Sequence, residues 1–244
     1  MFDPIFEPWI IKSMVPAAST YARDIDHVWE LIFWIVGFWF VLTQGVFLWL
    51  IVKFRKKDGQ KAQYITGELK SEKKYITYPH MAVLVFDLMI IVFAVQVWFD
   101  VKQDLPPAES AVRVIGQQWA WTFEHAGRDG KLGTADDIVT MNEMHVQKDV
   151  LYHYKLESVD VLHNFSVPVF RLKQDAIPGR VITGWFEPTA TGEYSIQCAE
   201  ICGVGHGLMG ARIHIEDATQ HAAWIAQHST VEVASASVDR SAEE

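Results

Sequence analysis

The chain has 244 residues, of which 50% are hydrophobic, with ten tryptophans and a formal net charge of −9. That length holds one ordinary domain plus an additional element, and two long apolar stretches in the first hundred residues exclude a plain soluble protein. The acidic balance also points away from nucleic acid as a partner.

Residues 1–27 lack the basic start and clean apolar stretch of a cleaved signal, so the segment is expected to stay attached. Residues 28–52 are apolar except for Glu30, Thr43 and Gln44. At ~1.5 Å per residue such a run exceeds the ~30 Å hydrocarbon core and predicts a transmembrane helix. Residues 81–103 predict a second one, in which Asp87 must face protein or be protonated. The connection 53–80 carries Lys53, Arg55, Lys56, Lys57, Lys61, Lys70, Lys73 and Lys74 against Asp58, Glu68 and Glu72. A short basic loop stays on the cytoplasmic side, which puts both termini outside.

Past the proline-bearing exit at 104–110 the pattern changes to short alternating runs. Strands are expected at 111–115, 119–124, 137–141, 151–158, 181–187, 192–197 and 211–216, with a short helix at 218–227. Many short strands with turn signals point to a β-sandwich or barrel over 104–228. The glycine- and carboxylate-rich insert 127–137 is read as a surface loop, with a hard cation as the alternative. The tail 229–244 is read as disordered. About twenty acidic residues against ten basic ones follow Lys102, a field suited to a cationic partner or simply to solubility.

The chemistry concentrates in one loop. The only two cysteines lie in Cys198-Ala-Glu-Ile-Cys202-Gly-Val-Gly-His206-Gly-Leu-Met209. Thiolate, imidazole and thioether are ligands that copper favours, and the thioether argues against zinc or calcium. Glycines 203, 205, 207 and 210 would let the backbone fold tightly enough for these side chains to converge. A one-copper site needs one cysteine and two histidines, so the second cysteine points to a pair of coppers bridged by two thiolates. The further imidazole must come from elsewhere. His163, read as lying in a loop after a strand, is the best candidate, ahead of His80, His145, His153, His214, His221 and His228. A disulfide between Cys198 and Cys202 is the structural alternative, although it leaves His206 and Met209 unexplained.

These residues, together with Asp160-Val-Leu-His-Asn-Phe, Asp175-Ala-Ile-Pro-Gly-Arg180 and the aromatic run Gly116-Gln-Gln-Trp119-Ala-Trp121, closely resemble subunit II of cytochrome c oxidase. The resemblance covers nearly the whole chain. It implies a two-helix membrane hairpin followed by a cupredoxin-like domain holding a dinuclear copper centre, CuA. Cys198 and Cys202 would bridge the coppers, and His163 and His206 would each bind one of them. Met209 and the Glu200 carbonyl would be the weak ligands, and the Glu200 carboxylate would reach a Mg²⁺ at the boundary with the haem-bearing subunit.

Trp119 would receive electrons from cytochrome c and Asp160 would help to dock it. Ala120 and Val159 depart from the family pattern at this surface. The Asp175–Arg180 turn would lie near the haem subunit, and Glu72 would stand near a proton-uptake entrance. The acidic extension and the 127–137 insert favour a bacterial inner membrane over a mitochondrial one. Competing readings are a copper-delivery membrane protein, a metal-free binding module and a quinol-oxidising relative, which would usually lack the copper ligands.

Overall fold

The computed structural model describes residues 10, 13–61 and 65–239. Residues 1–9 of the N-terminal segment and 240–244 of the tail lie outside the described residues. The chain divides into a helical unit within Asp24–Asp100 and a second unit formed by the segment ending at Arg23 together with the chain from Val101 onward.

The helical unit contains α1 (Ala22–Lys53) and α2 (Lys70–Trp98), the latter continuing as a π-helical turn over Phe99–Gln103. Both are long and apolar enough to cross a membrane. Their large side chains, among them Trp34, Phe47, Trp49, Val85 and Ile91, are exposed, as a lipid-facing surface requires. An edge-to-face contact between Trp39 and Phe86, 6.0 Å between centroids, joins the two.

Each helix begins earlier than the apolar pattern indicates. The first turn of α1 carries Asp24, a charge that suits a helix N-terminus. The first turn of α2 carries Glu72, whose carboxylate accepts the Gly67 N–H at 2.9 Å, so the lysine-rich residues from 70 onward are helical rather than loop. The helix then runs through Pro79. Proline removes one backbone donor there, which is why the sequence alone suggests a later start.

The second unit is a sandwich of two five-stranded sheets. One sheet has the order β3 (Ile138–Met141), β2 (Ala120–His125), β1 (Ser110–Gln117), β5 (Tyr152–Ser158), β8 (Ile182–Phe186). The other runs β4 (Glu143–Gln147), β10 (Gly210–Glu216), β9 (Gly192–Cys198), β6 (His163–Val167), β7 (Leu172–Ala176). Val112, Val114, Trp121, Phe123, Tyr154 and Leu156 of the first sheet and Met144, Phe165, Val167, Ile196 and Ile213 of the second are buried and form the core. Alternation in β1, β2, β5 and β10 follows the period of two that puts one face on that core.

Strands β4, β6 and β7 are not among the expected ones. In β6 all five residues are buried, so no alternation marks it. His163 therefore opens a central strand instead of sitting in a loop. Trp119, expected within a strand, lies in the turn before β2.

The terminal helix α3 (Ala218–Asp239) also departs from expectation. It continues past Gln227 into the region read as disordered, and no glycine or proline lies between its ends to stop it. The 127–137 insert is a set of side-chain-closed turns. Asp129 caps the Lys131 N–H, Asp136 the Asp129 N–H and Asp137 the Gly133 N–H. Among the described residues these carboxylates do not form a metal-holding group.

Candidate metal centre

Three neighbouring strands deliver the side chains to one end of the second sheet. His163 is the first residue of β6, Cys198 the last of β9, and Met209 precedes β10. Register fixes their neighbourhood: Phe165 pairs with Cys198, and Gly210 with Gln197. The Cys198 N–H donates to the Met209 carbonyl at 3.1 Å and the Ala199 N–H to the Asn164 carbonyl at 3.1 Å, which pins both ends of the loop between β9 and β10.

Within this frame both cysteines are free and buried. Their sulfurs stand 3.7 Å apart, far beyond the ~2.05 Å of a disulfide. Two thiolates each ~2.3 Å from a shared ion at a near-tetrahedral angle would lie about 3.8 Å apart, so the spacing suits a pair of thiolates on one metal ion. His163 Nδ1 is 4.0 Å from Cys198 Sγ, and the Glu200 carbonyl 3.3 Å from the same sulfur. His206 Nδ1 and Met209 Sδ stand 3.7 Å and 3.8 Å from Cys202 Sγ. The ligand atoms of His163, Cys198 and Cys202 all lie within 4.8 Å of one another. Soft donors gathered in a buried pocket fit copper.

The tautomer of His163 follows from its other nitrogen. Nε2 lies 2.8 Å from Asp160 Oδ1, and a carboxylate only accepts, so Nε2 carries the proton and Nδ1 presents its lone pair toward Cys198. Burial alone would raise the Asp160 pKa. The hydrogen bonds from His163 and from the Gln118 and Val161 N–H groups outweigh it and hold the carboxyl below the usual range. Asp160, expected to help dock a partner, is exposed and also holds His163 and the Gln118 backbone through its two oxygens. Burial, reinforced by Cys198, pushes the Cys202 thiol up to about 11 in the metal-free protein.

Trp119 is 42% exposed, and its indole N–H donates to the Cys202 carbonyl at 3.2 Å. Gln118 Nε2 donates to the same oxygen at 2.8 Å. This approach requires glycine. A Cβ on Gly205 would come within 2.4 Å of the Trp119 ring, and Gly203 combines a φ of +121° with the same crowding. Gly207 and Gly210 meet no such constraint. Behind His163, Gly116 leaves just enough room, since a Cβ there would lie 3.1 Å from both the imidazole and the Trp121 ring.

Glu200 is exposed beside the loop. Glu72 belongs to the helical unit, where it caps the start of α2. Asp175 accepts from Asn164 Nδ2 at 2.7 Å, steadying the strand that carries His163. Gln118, Gly116 and Asn164 go unremarked as site residues in the sequence. Gln118 adjoins Trp119 and Asn164 adjoins His163 in the motifs quoted above, but their roles depend on strand pairing.

A family model described as "Cytochrome C oxidase subunit II, periplasmic domain" matches residues 110–216. The "Alternative cytochrome c oxidase subunit 2" of Bradyrhizobium diazoefficiens is 32% identical over 248 residues, spanning 93% of this chain and 86% of that protein. The chain belongs to the cytochrome c oxidase subunit II family.

A second subunit 2, from Cereibacter sphaeroides, is 25% identical over 89% of this chain and 82% of its own length. A crystal structure of the periplasmic domain of subunit II of the Bradyrhizobium japonicum oxidase covers 52% of this chain and 98% of its own at 26% identity and a TM-score of 0.47. As an oxidase subunit II, the chain is a membrane protein and part of a haem-copper terminal oxidase complex. Its His/Cys/Cys group is the place where it could hold copper.

Proposed function

We propose that this subunit accepts electrons from cytochrome c at a dinuclear copper centre and hands them to haem in the catalytic subunit. The observation that carries the reading is the pair of buried, unlinked sulfurs 3.7 Å apart with an imidazole beside each. His163, Cys198, Cys202, His206, Met209 and the Glu200 carbonyl would hold the metal. When bound, a copper pair supplies a one-electron store whose charge is shared over two ions.

The chain's own residues prepare that site. Asp160 keeps the Nε2 proton on His163 and leaves Nδ1 as the ligating nitrogen. Trp119 offers an exposed π surface one hydrogen bond from the backbone of Cys202, a short route for an arriving electron. Burial of Cys198, Cys202, His163 and Met209 excludes water from the donors. The exposed Glu200 carboxylate would supply a ligand to Mg²⁺ at the boundary with the haem subunit. With the basic connection inside, the copper domain and both termini face the periplasm of a bacterial inner membrane, where the acidic surface draws a cationic donor. On the inner side, Glu72 would stand near the point of proton uptake.

The test is copper content and EPR of the full chain purified in detergent and loaded with copper. Two coppers per chain and a mixed-valence signal with hyperfine coupling to both nuclei are expected. One copper or none in correctly folded protein would overturn the reading.

A further inference from the structure

At the opposite end of β10 from Met209, five of the ten histidines gather around one tryptophan of α3. His145 of β4 lies flat on Trp224, 4.2 Å between centroids and 11° between planes. His214 of β10 stacks on the far side of His145 at 4.5 Å and 14°. His221 and His228 of α3 flank Trp224 at 5.8 Å and 4.9 Å, and His125 of β2 meets its edge at 5.1 Å. This set has no part in the copper site.

The hydrogen bonds state which rings must be neutral. His125 Nε2 accepts the His145 backbone N–H at 3.0 Å, while Nδ1 faces the Ile138 carbonyl at 3.3 Å. A protonated His125 cannot accept, so taking up a proton breaks that bond. Glu216 faces Nδ1 of both His145 and His221, at 2.8 Å and 2.9 Å, and Glu143 pairs with His214 Nε2. Two carboxylates therefore serve a cluster of five imidazoles. The other charged or titratable groups nearby are turned to other partners. Arg128 donates to the Ala226 carbonyl of α3, Asp217 caps the Gln220 N–H, and the buried Tyr152 hydroxyl, pushed up to about 12, is neutral.

We propose that α3 is an acid-sensitive clasp, docked on β4 and β10 through Trp224 while the histidine stack is neutral and loosened when the stack takes up protons. Glu216 and the Trp224 face attract an imidazolium but do not offset its burial. Protons taken up would place cations face to face in the His145–His214 stack and break the His125 acceptor bond.

The direction agrees with the local environment. Burial holds His125 down at about 3, and at His145 burial outweighs the pull of Glu216 and lowers its pKa. Groups depressed in the docked state bind protons more tightly once released. Docking is then complete above about pH 6.5 and weakens below it, by about tenfold per pH unit for each such group.

The experiment is hydrogen exchange of the α3 amides in the full chain in detergent, at pH 7.5 and 5.5, corrected for the intrinsic pH dependence of exchange. Protection across 219–228 is expected to fall about tenfold or more at the lower pH, while the amides of β1 and β5 keep theirs. His145→Phe and His214→Phe keep a ring in the stack without its charge, and each should reduce the fall. Trp224→Ala should remove the protection already at pH 7.5. Native protection equal within twofold at the two pH values, an undiminished fall in both histidine variants, or full protection in Trp224→Ala would overturn the proposal.

Discussion

Replacing Asp160 with Asn tests whether this residue serves a docking partner or the metal. Its Oδ1 accepts the His163 Nε2 proton at 2.8 Å and its Oδ2 the Gln118 N–H at 2.7 Å. A hydrogen bond to a charged acceptor contributes about 1.5–3 kcal/mol, and losing the partner that orients a ligating histidine typically weakens metal binding ~10–100-fold. The carboxamide oxygen can still accept one of these bonds, so Asp160→Asn should weaken copper binding about tenfold, and Asp160→Ala about a hundredfold, at the severe end of that range. Copper competition against a chelator of known affinity measures this directly. Because the carboxyl is held below its usual range, its contribution is present above about pH 4 and disappears as pH falls through the folded-state value. Unchanged copper affinity, with a turnover defect that vanishes at high salt, would show that Asp160 acts only in docking and refute the positioning argument.

Three further outcomes follow from the same geometry. Gly205→Ala puts a methyl group 2.4 Å from the Trp119 ring; the indole must move by about 1 Å, a displacement that can cost on the order of a hundredfold in rate. Electron transfer from cytochrome c should slow in stopped-flow traces while copper stoichiometry holds. Copper loading should release protons and tighten as pH rises toward the Cys202 value of about 11, a slope that calorimetry in buffers of different ionisation heat would read. Glu72→Gln preserves an acceptor for the Gly67 N–H; the helix content should stay unchanged by circular dichroism while proton-coupled turnover in vesicles falls.

What the sequence shows depends on whether the signal is local. The copper loop is legible because its donor types are rare and fall within twelve residues, so their concentration needs no tertiary knowledge. The transmembrane helices are legible from their apolar interiors but not at their ends. Charges in the first turns of α1 and α2 read as loop, yet carboxylates there stabilise a helix N-terminus. Strand β6 is hidden because both its faces are covered and its sequence, His-Asn-Phe-Ser-Val, mixes polar with apolar residues. Two of its polar side chains meet partners on neighbouring strands, Asp175 of β7 for Asn164 Nδ2 and Cys198 of β9 for His163. The bond from the Gln118 N–H to Asp160 is likewise invisible, since it needs β1 laid parallel to β5, which brings Gln118 to the turn after Ser158.

That arrangement has a consequence for electron transfer. Three of the proposed ligands, His163, Cys198 and Met209, are placed by the register of β10, β9 and β6, adjacent strands whose backbone bonds exist without metal. A slip of one residue in β9 would turn Cys198 to the opposite face, and the buried alternation of that strand, with Ile196 and Cys198 inward, opposes the slip. His163 is further wedged between Asp160 on one side and the Gly116–Trp121 surface on the other. Donors fixed this way have little freedom to follow a change in the charge of a bound ion. A site that cannot relax far has little to reorganise when an electron arrives or leaves, and the framework of the sandwich, more than the loop's flexibility, would keep each transfer fast.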